Sequence, residues 1–218
     1  MVFDIKKSNN KKVEEMYQKA MKELNEFFEI DWNRNMPQLI IVDSRDILNA
    51  FSEEKTGDWV VSTTSISGRM IVILSPEKYE EESKGTHKYS DEEYYQLIKH
   101  ELTHQYEFIF KNEYTPFWFS EGLAEYTSGQ IKNMKKPEIF EKFLKYFDYE
   151  DGDTYVESAF AVWILIEEFG KKKVIEFLKI SDTEDEEEFN KIFKDFFGVE
   201  LTYDWFNKML EKRKWFLT

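Results

Sequence analysis

The chain has 218 residues, of which 17% are aromatic and 34% charged, with a formal net charge of −14, three histidines and no cysteine. That length and aromatic content suit one folded domain of two lobes with a real core. The acidic balance argues against nucleic acid or an anionic membrane as partner, and the missing cysteines exclude disulfides and thiolate metal sites.

The segment MVFDIKKSNNKKVEEMYQ lacks the apolar run of a signal peptide, and nothing later approaches a membrane span. The expectation is a soluble cytoplasmic protein. Residues 10 to 30 place Val13, Met16, Tyr17, Ala20, Met21, Leu24, Phe27 and Phe28 at three- and four-residue steps, which predicts an amphipathic helix. Met36-Pro37 breaks it, and Gln38 to Val42 reads as a short buried strand. A turn and a short helix are expected over 44–55. Two β-rich runs follow, Trp59 to Thr64 and Met70 to Leu74, and Ser67-Gly68 between them supplies a hairpin turn.

Residues 79–90 form a polar loop ending at Ser90, a good N-cap. Asp91, Glu92 and Glu93 follow where negative charge complements the helix dipole. The helix they open is expected to run to about residue 111. A second helix begins near Phe117 or Trp118, after Tyr114-Thr115-Pro116. From 137 onward the pattern is helical, with breaks near 148–153, 170, 181–183 and 198–202. Within that stretch Phe140, Phe143, Leu144 and Phe147 form an apolar stripe that reads as core. The acidic run from Asp182 to Glu188 reads as a solvated helix start. The lobes expected are 1–112, an α/β half, and 113–218, a helical half.

The chemistry concentrates at His100-Glu101-Leu102-Thr103-His104, the pattern H-E-x-x-H. On a helix the two histidines fall one turn apart on one face and can converge on a metal ion, while Glu101 can reach a water bound to it. Two of the chain's three histidines are used here. A catalytic zinc normally takes a third protein ligand, which in this chain is a carboxylate or His87. His87 lies in the polar loop, where exposure is the ordinary expectation. The best candidate is Glu121 in Trp118-Phe119-Ser120-Glu121-Gly122-Leu123-Ala124-Glu125-Tyr126, on a second helix that would return it toward His104. Glu125, one turn further, would hydrogen-bond a ligand histidine and fix its tautomer.

HELTH followed by WFSEGLAEY resembles the gluzincins, the thermolysin-like zinc metallopeptidases of the peptidase MA clan. The likeness is specific over residues 95 to 127 and only topological elsewhere. It implies an α+β zincin catalytic domain, with a small N-terminal sheet and hairpin, an active-site helix and a mostly helical C-terminal lobe. Carried over, it makes His100, His104 and Glu121 the ligands of one zinc ion and Glu101 the general base. Only 16 residues separate His104 from Glu121, fewer than in the best-known aminopeptidase and thermolysin branches, so neither branch is assigned.

The resemblance further implies that Val60 to Ser65 is an edge strand to which an extended peptide substrate adds. It also implies that Tyr155, in the helix YVESAFAVWILIEEFG, donates its hydroxyl to the oxyanion, with Tyr126 and Tyr114 as fallbacks. Two rival functions share the motif. One is a zinc hydrolase acting on a non-peptide amide or ester; the other is a binding protein that keeps the fold without turnover.

Overall fold

The computed structural model of the protein describes residues 7–52, 55–65, 69–110, 115–144 and 152–213. The expected turn at Ser67-Gly68, the fallback Tyr114 and the last residue of the apolar stripe, Phe147, lie outside them. The fold is α+β, mostly helical with one small sheet. Among the described residues no helix is long and apolar enough to cross a membrane. The chain divides into two compact units, Met1–Gln105 and Tyr106–Thr218.

The first unit opens with helix α1, Lys11–Phe28, capped by the Asn10 side chain, which accepts from the Val13 N–H. Of its apolar residues Val13, Tyr17, Ala20, Met21, Leu24 and Phe28 are buried and Met16 and Phe27 half-buried, and the Tyr17 hydroxyl ends on the Pro37 carbonyl at 2.6 Å. Strand β1 (Gln38–Val42), helix α2 (Arg45–Ser52), strand β2 (Ser62–Ser65) and strand β3 (Met70–Leu74) follow. The sheet order is β1-β3-β2: β1 lies parallel to β3, and β2 pairs with it antiparallel in a register from Ser62↔Ile73 to Ser65↔Met70.

The middle strand is the apolar one. Ile71 to Leu74 are fully buried, as a strand covered on both faces requires, whereas β2 is an edge strand of serines and threonines. The segment leading into β2 is held by Arg45, whose guanidinium donates to the carbonyls of Gly57 (2.7 Å), Asp58 (3.0 Å) and Glu82 (2.8 Å). The polar loop contains a single helical turn, α3 (Tyr79–Glu82), that the sequence pattern does not announce.

Helix α4, Asp91–Phe110, begins where its signals put it: the Ser90 hydroxyl accepts from the Glu93 N–H at 3.1 Å, with three acids in the first turn. The Tyr94 hydroxyl donates to the Leu74 carbonyl at 3.0 Å and docks the helix on β3. Lys99 reaches Glu23 on α1 at 2.5 Å. These contacts fix the rotation of α4, and with it the direction in which residues 100, 101, 104 and 105 point.

The second unit is helical: α5 (Phe117–Ser128), a 3₁₀ turn (Gln130–Asn133), α6 (Gly152–Phe169), α7 (Lys171–Ile180), α8 (Glu186–Phe197) and α9 (Tyr203–Lys212). Its core is aromatic. Trp118 meets Phe143, Phe189 and Phe206 edge-on, and Phe177 packs against Phe119, Phe193 and Phe197. Helices α5 and α6 approach so closely at Gly122 that a Cβ there would stand 2.3 Å from the Ser158 carbonyl oxygen. The glycine after Glu121 is therefore a packing requirement. The acidic run opens α8 as expected, with Asp185 accepting from the Glu188 N–H.

Two expectations fail: the β-rich run from Trp59 forms a strand only from Ser62, with Trp59 in a turn, and the segment 137–144 is not a helix. Residues 137–144 are irregular rather than helical, although Phe140 and Phe143 are buried as a core stripe should be. Their backbone is held by side chains instead of a helical ladder. Glu157 Oε2 accepts the N–H groups of Glu141, Lys142 and Phe143 at 3.1, 2.8 and 3.1 Å. The Asn207 amide exchanges two hydrogen bonds with Phe140, and the Tyr203 hydroxyl accepts from Leu144.

Candidate metal centre

The period of α4 sets its two functional faces. His100 and His104 lie one turn apart, and their Nε2 atoms stand 3.2 Å apart. His100 is 8% exposed and His104 half-buried. A step of about 100° around the helix puts Glu101 and Gln105 on the neighbouring face, again one turn apart. Both of these are buried.

That neighbouring face meets the edge strand. The Ser62 hydroxyl donates to Glu101 Oε1 at 2.6 Å and the Thr64 hydroxyl donates to Glu101 Oε2, so each carboxylate oxygen has its own donor. Gln105 Nε2 donates to the Ser65 carbonyl at 3.2 Å. Each oxygen of this buried carboxylate is thereby given a donor, by hydroxyls spaced two residues apart on one face of a strand.

One ligand atom from each of His100, His104 and Glu121 lies within 4.8 Å of the others, and among the described residues this is the one such group able to hold a metal ion. Two nitrogens and a carboxylate oxygen suit a first-row divalent ion. With metal–nitrogen bonds of about 2.0–2.1 Å, two ligands of a tetrahedral zinc stand about 3.3 Å apart. The observed 3.2 Å between the histidine nitrogens matches that edge.

His87 does not join the group. One ring nitrogen lies 2.8 Å from the Trp59 carbonyl oxygen and the other 3.3 Å from Glu93 Oε1, which employs it in holding the polar loop. Glu125 is 6% exposed, one turn beyond Glu121 on α5. Tyr155 lies in the first turn of α6 rather than at its opening residue, half-buried, its ring edge-on to Phe117 at 5.1 Å. Tyr126 is half-buried, and burial together with Glu167 raises its hydroxyl above the ordinary tyrosine value.

The sequence reading passed over two groups. Ser62 and Thr64 were visible only as part of a β-rich run. Their signal was the alternation of hydroxyls on a strand next to an apolar partner. Glu107, buried on α4, accepts from the Ser120 hydroxyl at 2.5 Å and so ties α4 to the start of α5, beside Glu121. In a chain with 44 acidic residues nothing distinguishes that glutamate in advance.

Comparison with protein-family models and with curated proteins finds no match.

Proposed function

We propose that this chain is a zinc-dependent peptidase of the gluzincin kind, with a thermolysin-like catalytic arrangement. The observation that carries the proposal is the pair of histidine Nε2 atoms 3.2 Å apart, with a buried glutamate fixed on the adjacent face of the same helix. His100, His104 and Glu121 would hold the ion, and Glu125 would orient a ligand ring. Zinc, when bound, supplies Lewis acidity that brings the pKa of water down toward about 7 and polarises a carbonyl.

The chain's own groups then divide the work. Glu101 takes the proton from the attacking water and passes it to the leaving amine, acting first as base and then as acid. Tyr155 donates its hydroxyl to the oxyanion. The outer side of β2 carries backbone groups that β3 does not use, and an extended peptide would add there as a further strand. This favours a peptide substrate over a small ester, because a small ester lacks the alternating N–H and C=O groups that pair along a strand edge.

The test is zinc content by elemental analysis on wild type, His104→Ala and Glu121→Ala, followed by turnover on a panel of peptides and acyl esters. About one zinc per wild-type chain, little in either variant, and hydrolysis of peptides is the expected result. Stoichiometric zinc in either variant would remove that residue from the ligand set. A wild-type chain that refuses added zinc would sink the proposal.

A further inference from the structure

We propose that Ser62 and Thr64 are positioning residues for Glu101, holding the base of the proposed peptidase in one orientation before substrate arrives; the inference rests on that reading of the site. A glutamate on a helix has three rotatable bonds, and an untethered carboxylate samples many positions around the metal ligands. Here each oxygen is met by a separate donor, Ser62 on Oε1 and Thr64 on Oε2, which fixes both the location of the carboxylate and the tilt of its plane.

The donors are themselves fixed. They sit on a strand whose register with β3 pairs Ser62 with Ile73 and Thr64 with Ile71, two side chains with no solvent exposure. Gln105 adds a third tie from the same face of α4 to the same strand. The hydroxyls are neutral donors, so they orient the carboxylate without setting a competing cation beside two histidines. The edge strand thus has two jobs. Its face sets the base, and its outer edge, the side away from β3, is where a peptide would be read.

Three variants separate orientation from packing. Thr64→Val keeps the shape and removes the donor, Thr64→Ser keeps the donor and removes the methyl, and Ser62→Ala removes the other donor. On the zinc-loaded protein the expected result is a fall in kcat of about tenfold or more in Thr64→Val and Ser62→Ala, with KM and zinc content near wild type. Thr64→Ser recovers most of the lost turnover. A second readout needs no activity: thermal midpoints of the metal-free wild type, Thr64→Val, Glu101→Met and the double variant. Direct contact predicts midpoint shifts that do not add, since the hydroxyl has nothing left to hold once the carboxylate is gone.

Additive shifts overturn the contact whether or not a substrate is found. Wild-type kcat in both donor-deleted variants, or equal loss in Thr64→Ser and Thr64→Val, overturns the positioning role and leaves the zinc peptidase reading intact. A wild-type enzyme that hydrolyses no peptide overturns that reading, and the catalytic half of this proposal with it.

Discussion

Helix α4 and the segment 137–144 present similar patterns and become different structures. Both carry large apolar residues at three- and four-residue steps and bury most of them, Phe140 and Phe143 in the second case. In α4 the backbone closes its own ladder, started by the Ser90 cap and three acids in the first turn. In 137–144 the backbone N–H groups of residues 140 to 144 go to Asn207, Glu157 and Tyr203 instead. Spacing reports which residues go inside. The partner of the backbone decides which element they form.

The difference matters for function because a metal site built on i and i+4 residues needs the regular ladder. Breaking the chemistry on α4 without disturbing its ladder is the largest expected effect. Glu101→Gln keeps the helix and both histidines but removes the proposed proton acceptor, so under the proposed function peptide turnover should fall by about 10²–10⁴-fold with zinc content at wild type. Parallel turnover and zinc measurements check it. Retained turnover at full zinc loading would mean another group accepts the proton.

The second region breaks through stability. Glu157→Ala leaves the N–H groups of Glu141, Lys142 and Phe143 without their acceptor; only the Phe143 bond is fully buried, so a loss of about 1–3 kcal/mol is expected. Urea denaturation measures it, and limited proteolysis should then cut within 137–144. An unchanged midpoint would show that water replaces the carboxylate at no cost. Asn207→Ala removes one donor and one acceptor from Phe140, both part-buried, and should cost less, about 1 kcal/mol.

What could be foreseen follows the same division. Helix α1, strands β1 and β3 and helix α4 were legible because their signals are local: a cap, a period, a run of β-branched residues beside a proline. The His100–His104 pair was legible because a helix converts a spacing of four into proximity. The parallel pairing of β1 with β3 was not, since it joins strands across an intervening helix and hairpin strand. Nor was the contact of Ser62 and Thr64 with Glu101, made across 39 and 37 residues by side chains common in any loop. The irregular path of 137–144 is set by residues up to 67 positions away, and no local window contains them.

The smallest expected effect decides between two forces acting on one carboxyl. Burial pushes the Glu157 carboxyl above its ordinary value, and the three backbone N–H groups pull it down; burial wins. A carboxyl that binds its proton more tightly in the folded state stabilises the fold fully below its unfolded value of about 4.3, and that contribution is lost as pH rises through the raised value. Glu157→Gln cannot titrate. The stability of wild type relative to Glu157→Gln should therefore decline as pH rises from about 4.3 through the raised value, measured by urea midpoints at matched ionic strength. If it grows over that window instead, the three N–H groups outweigh burial, and the segment that sequence spacing mistook for a helix is held by a true anion site.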